Sequence, residues 1–291
     1  MSEAVALPRP TTLVGDYLEL SKARIVLMVL VTTVAGYLFA ADKVNALALL
    51  NALVGTALVA AGTNALNQYV EREHDAKMRR TRLRPLPDGR ISPRAALLFS
   101  AAIAIIGTVY LGLAVNWLTA ALGAFTLTSY IFVYTPMKRT STLCTLVGAV
   151  PGAIPPLMGW TAATGELAIG GLIAFGIVFL WQLPHFMAIS WIYREDYGRA
   201  GFRMTACEDP EGLSTARQAV IYSLILVPVS VLPSFVGLTG VGYLVAALIA
   251  GALLTTASYV FLAARTTRNA RTLFMTSNLY LVVVMALLVA A

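Results

Sequence analysis

Nine long apolar runs constrain this chain more than any other feature. They fall at about 25–41, 45–69, 95–114, 117–135, 143–161, 167–190, 217–236, 240–263 and 272–290. Each is long enough to cross a ~30 Å hydrocarbon layer at ~1.5 Å of rise per residue. In lipid a segment must satisfy its own backbone groups, and runs of this length do so as helices. The fold class predicted is therefore all-α: a polytopic membrane protein with nine transmembrane helices around a central cavity. Composition agrees, with 58% of 291 residues hydrophobic and only 12% charged. That excludes a disordered chain and an ordinary cytosolic enzyme. It also excludes a nucleic-acid-binding domain, despite a net charge of +7.

Charge placement predicts the orientation. Of 21 Lys and Arg, only Lys43 lies in an odd-numbered loop. The rest occupy the N-terminal arm, the even-numbered loops and the adjoining helix ends. The positive-inside rule then puts the N-terminus in the cytoplasm and the C-terminus outside a bacterial inner membrane. The two long loops, about 70–94 and 191–216, share the cytoplasmic side, which marks it as the working face. Residues 1–24 read as a cytoplasmic arm ending in an interfacial helix with Asp16, Glu19, Lys22 and Arg24. Residues 25–291 read as one membrane domain. Ala40 and Ala41 loosely resemble a signal-peptidase site, but the long polar lead argues against cleavage. Cys144 and Cys207, 63 positions apart, do not form a metal-binding or disulfide pattern.

The second run ends N-Q-Y-V-E-R-E-H-D. Asn67, Glu71 and Asp75 recur every fourth residue, so they share one helix face. An amide and two carboxylates are hard oxygen ligands, suited to Mg²⁺, which is commonly completed by substrate phosphates. Lys77, Arg79, Arg80, Arg82 and Arg84 follow within eight positions. They satisfy the positive-inside pattern, and some are placed to meet a diphosphate. Pro85 and Pro87 stiffen the loop behind Arg84. Lys138 and Arg139 add cations after the fourth run.

Pro151, Pro155 and Pro156 interrupt the fifth run, which makes it either a cavity border or a kinked packing helix. Asp196 follows the sixth run as Asp75 follows the second, so the two acidic ends could face one cavity. Position 200, four residues further, is Ala. His185 lies about 16 Å deeper than Asp196 along a continuous helix. Trp181, Phe186 and Trp191 near it suit a flat aromatic ligand as well as they suit lipid.

The spacing of Asn67, Glu71 and Asp75, with a second acidic loop in a nine-helix chain, resembles the intramembrane aromatic prenyltransferase superfamily. The signatures D-A-K-M-x-R-T-x-x-R-P-L, Y-T-x-x-K-R, G-A-x-P-G-A-x-P-P-x-x-G-W and W-Q-x-P-H-F then D-Y resemble its haem-farnesylating branch. The likeness runs over about 15–291. It implies farnesyl transfer from farnesyl diphosphate to a vinyl group of haem B, with water addition, giving haem O and diphosphate. It implies Mg²⁺ at Asn67, Glu71, Asp75 and Asp196, which form the catalytic set. Diphosphate contacts would come from Arg80, Arg84, Lys138 and Arg139, and haem binding from His185, with His74 as the alternative. Further partners would be membrane lipid and a haem A synthase or oxidase-assembly factor. Two departures stand out: Glu71 where Asp is usual, and Ala200 where a second-motif Asp is expected. A quinone-precursor prenyltransferase is a competing reading, and a transporter is a more remote one.

Overall fold

The computed structural model describes residues 12–290. Among these, nine helices have the length and apolarity to cross a membrane, and there is no strand. A short helix α1 (Leu13–Leu20) precedes them, capped by Thr12, whose hydroxyl accepts from the Gly15 N–H. The spans are α2 (Ala23–Ala40), α3 (Ala46–Asp75), α4 (Pro93–Ala114) and a broken fourth span over Trp117–Met137. There follow α7 (Cys144–Thr164), α8 (Ile169–Ile192), α10 (Leu213–Phe235), α11 (Val241–Ala263) and α12 (Thr267–Ala290). A one-turn helix α9 (Arg194–Arg199) lies in the second long loop. The expected arm boundary at residue 24 moves slightly, because α2 already starts at Ala23. Residues 1–11 of that arm, and Ala291, lie outside the described residues.

Helix α3 is the longest, with 30 residues. At ~1.5 Å per residue it spans about 45 Å, well beyond a ~30 Å hydrocarbon layer. Asn45 starts it by accepting from the Leu47 and Ala48 N–H groups. That length leaves room for a polar end beyond a membrane crossing, and the polar residues Asn67, Gln68, Glu71 and Asp75 gather in its final turns.

The fourth span consists of α5 (Trp117–Thr128), a π-helical turn at Ser129–Tyr134 and α6 (Thr135–Met137). Pro136 has no N–H for the carbonyl one turn back, so the ladder is broken here. The Thr135 N–H bonds instead to Tyr130 O, and the Thr135 hydroxyl bonds to the same carbonyl at 2.8 Å. The wider turn sets the direction of Tyr134 and Lys138.

Helix α7 takes the middle of the bundle, with 67% of its apolar window buried. Its prolines do not expel it from the core. Small residues let α2 cross it closely: a methyl group on Gly36 would overlap the Pro156 carbonyl, and one on Gly159 the Thr33 carbonyl. On this face α7 is a packing helix. Helices α8, α10, α11 and α12 form a second packed unit around Ile177, Leu226, Leu254, Phe261, Leu273 and Val284. Paired hydroxyls, such as Ser223 with Ser258 at 2.8 Å, tie it together inside the apolar layer.

Candidate functional site

The last two turns of α3 deliver Asn67, Glu71 and Asp75 to one buried line, at 1%, 4% and 1% exposure. A buried carboxylate without a partner is costly, and each of these has a cation. The Lys138 Nζ donates to Glu71 Oε1 at 2.8 Å. Arg84 Nη1 donates to Asp75 Oδ2 at 2.7 Å. Lys22 Nζ donates to Asn67 Oδ1 at 2.8 Å. Three cations thus face two carboxylates and an amide oxygen. With Lys22 protonated such a group carries a net charge of about +1, and each cation can turn to an entering anion.

The sequence reading left Lys22 in the arm. Its backbone is left-handed (φ 52°, ψ 56°) between α1 and α2, and that turn sends the side chain inward. Burial, then the nearby Arg84 and Lys138 charges, lower its pKa to about 7 against the pull of Glu71 and Asp75. Lys138 goes the other way. Burial opposes its charge, but Glu71, with Tyr134 and Tyr130, holds its pKa well above the usual lysine value. Its Nζ also lies 4.5 Å from the Tyr134 ring centroid, within cation–π range.

The two long loops meet over this line. Thr81 donates to the Asp75 carbonyl at 2.8 Å, folding the first loop back on α3. The Arg79 N–H donates to Asp196 Oδ1 at 3.3 Å, and Arg199 pairs with the same oxygen. Asp196 is therefore buried at the loop junction. Ala200 packs with Met78, Cys144, Phe202 and Met204, an apolar setting ill suited to a carboxylate. The other acids of this region are occupied or exposed. Glu208 pairs with Arg203, Asp209 accepts from the Thr215 N–H and hydroxyl, and Glu195 faces solvent.

Arg80 is engaged by the second long loop in this geometry. Its guanidinium lies over Tyr193 and Tyr197 at 5.0 and 5.1 Å and donates to the Tyr197 hydroxyl at 3.0 Å. It clasps the two loops together. Arg139 is exposed and reaches only the Val70 carbonyl, at 3.5 Å. His74 is stacked on Phe202, with ring centroids 5.4 Å apart.

His185 is buried between α8 and α12, and Nδ1 lies 2.9 Å from the Ser277 hydroxyl. The Ser277 proton is directed to the Phe274 carbonyl at 2.7 Å. The ring is surrounded by Trp181, Phe186 and Phe274. Trp191 does not join this group: six residues on, it lies on another helix face and packs on Phe261.

Among the described residues, no three Asp, Glu, His or Cys side chains converge as a closed metal cage. The donor chemistry still fits Mg²⁺, which keeps waters and takes one or two carboxylates plus phosphate oxygens.

A buried row of oxygens, ringed by cations at one end of nine spans, suits an anionic substrate held at a membrane mouth. The profile described as the UbiA prenyltransferase family matches residues 29–280, and the chain belongs to that family. Within it the chain is similar to the protoheme IX farnesyltransferase of Solibacter usitatus (strain Ellin6076). They are 47% identical over 283 residues, 94% of this chain and 97% of that one. The protein of the same name from Anaeromyxobacter dehalogenans (strain 2CP-C) is 42% identical, covering 97% and 95%. The fold is shared with a solved digeranylgeranylglyceryl phosphate synthase, with TM-score 0.80, 19% identity and coverage of 95% and 97%. It is also shared with a UbiA homolog from Archaeoglobus fulgidus bound to GPP and Mg²⁺, with TM-score 0.65, 15% identity and coverage of 95% and 100%.

Proposed function

We propose that this chain transfers the farnesyl group of farnesyl diphosphate to a vinyl group of haem B, and that water addition completes haem O. The observation that carries this reading is the buried line of Asn67, Glu71 and Asp75, each held by a cation, in a chain so similar to protoheme IX farnesyltransferases. The quinone-precursor and transporter alternatives have no comparable support.

In this reading Lys22, Arg84 and Lys138 turn from their present partners to the diphosphate. Arg139 stands at the outer edge, and Arg80 acts indirectly by closing the loops. Asn67, Glu71, Asp75 and Asp196 supply the oxygens that would hold Mg²⁺. The ion would neutralise charge on the departing diphosphate. The C1–O bond breaks with its electron pair going to the diphosphate, and the vinyl electrons form the new bond to C1. Water then supplies the hydroxyl at the vinyl carbon next to the ring and releases a proton. The chain's task is to bind, align and exclude water until that last step. Met78, Phe202 and Met204, buried under the joined loops, supply an apolar cover.

His185 is assigned to the acceptor. Its imidazole and aromatic surroundings suit ligation of haem iron, which would hold the porphyrin and so its vinyl group in place. The basic face is placed in the cytoplasm and the C-terminus outside, in the inner membrane. A haem A synthase or oxidase-assembly factor is the membrane partner class that fits this product. The decisive experiment is mass analysis of haems from membranes with and without the expressed chain. Haem O should appear only with it, and unchanged haem B would overturn the assignment.

A further inference from the structure

Lys22 is the one non-glycine residue with positive φ among the described residues. Left-handed backbone is disfavoured for a side chain with a Cβ, so the neighbouring structure must hold it. The elbow it forms separates α1 from α2. Two adjacent residues of α3 grip that elbow. Asn67 takes the Lys22 ammonium, and the Gln68 side-chain amide donates to the carbonyls of Glu19 and Leu20 at 2.9 and 2.8 Å. The Leu20 carbonyl ends α1, where helical partners run out, while the Glu19 carbonyl also accepts from the Lys22 N–H at 3.0 Å. On the outer side Arg90 pairs with Asp16 and Glu19, holding α1 against the first loop.

Gln68 is 1% exposed, and its Oε1 has no hydrogen-bond partner. Burying an unpaired carbonyl oxygen is unfavourable, and a leucine of similar size would avoid it. Packing alone therefore does not account for this residue, whereas its two donated bonds do.

We propose that Gln68 is a positioning residue that holds the α1–α2 elbow and so keeps the Lys22 ammonium at the diphosphate end of the site. The proposal rests on the functional reading above. It also makes α1 part of the site's construction rather than a tether.

The test is a double-mutant cycle on the full chain in detergent, read by calorimetric binding of inorganic diphosphate with Mg²⁺. Gln68→Leu and Lys22→Ala should each weaken binding by about tenfold. The double variant should bind no more weakly than Lys22→Ala alone, because Gln68 acts through Lys22. Hydrogen exchange over residues 13–22 should rise in Gln68→Leu without any ligand. Gln68→Met, which keeps the length and lacks the amide, serves in the same cycle where the leucine variant does not fold. Wild-type binding in Gln68→Leu, or multiplicative losses in the double variant, would overturn the proposal. Lys138→Gln separates the two failures. If it loses diphosphate binding while the Lys22 and Gln68 variants keep it, only the positioning role falls. If all three variants bind normally, the site reading falls too.

Discussion

Glu71 and Asp75 are buried with their cations, so replacing either by alanine would strand a charge as well as remove an oxygen. Breaking such a pair typically costs about 3–5 kcal/mol. Glu71→Gln and Asp75→Asn keep the volume and are the better probes. Each is expected to lower kcat roughly a hundredfold or more while the protein still elutes as a folded species. Near-normal turnover at saturating farnesyl diphosphate and Mg²⁺ would remove these residues from the site. Chelating divalent metal should abolish turnover in the wild type, and added Mg²⁺ should restore it. Activity that survives exhaustive chelation would contradict the oxygen-ligand reading. His185→Ala should alter the absorption spectrum of bound haem B and leave diphosphate affinity unchanged. An unaltered spectrum together with an unaltered rate would make His185 a core residue hydrogen-bonded to Ser277.

At the scale of elements, the α2–α7 crossing depends on bare backbone. Gly159 faces the Thr33 carbonyl and Gly36 the Pro156 carbonyl, with no room for a side chain. Gly159→Val should force the helices apart and destabilise the protein by about 1–3 kcal/mol, read as a lower thermal midpoint in detergent. A midpoint equal to that of the wild type would mean the crossing is looser than described. The prolines of α7 read as interruptions, yet the helix runs unbroken over Cys144–Thr164, and whether it bordered a cavity or packed was not legible. Deciding that required the neighbour, since a proline's lost hydrogen bond is equally compatible with both surroundings. The π-helical turn at Ser129–Tyr134 was not legible either. Pro136 announced a break, while the form of the break followed from the way Thr135 and Tyr130 re-paired.

For the whole molecule, the asymmetry of basic residues makes the strongest statement. With only Lys43 of 21 Lys and Arg on the opposite side, a reporter fused after Ala291 should behave as exported. Cytoplasmic activity of that fusion would require a different number of spans or an inverted insertion. The same asymmetry explains why the site lies at one mouth. Carboxylates and cations are costly at membrane depth, and here they gather at the end of α3 under the two long loops.

Nine spans, their all-α character and the Asn67, Glu71, Asp75 line were written in the sequence. Hydrophobic length and four-residue spacing are local properties, readable along one helix. Asp196 is singled out by the same reasoning, as an acid following a span, and the structure sets it against Arg79 and Arg199. The tertiary structure decided which cations those oxygens meet. Arg80 reads from the sequence as a diphosphate contact, and only the tertiary structure sets Tyr193 and Tyr197 beside it. Trp191 looked like a neighbour of His185, while Phe274 from a distant helix took that place. Lys22 gave no signal of its own, being one cation in a basic arm. Its role comes from an elbow held by Gln68 and Asn67, residues 45 or more positions away. Long-range partners of this kind are set by how helices pack, and no period in a single chain segment encodes them.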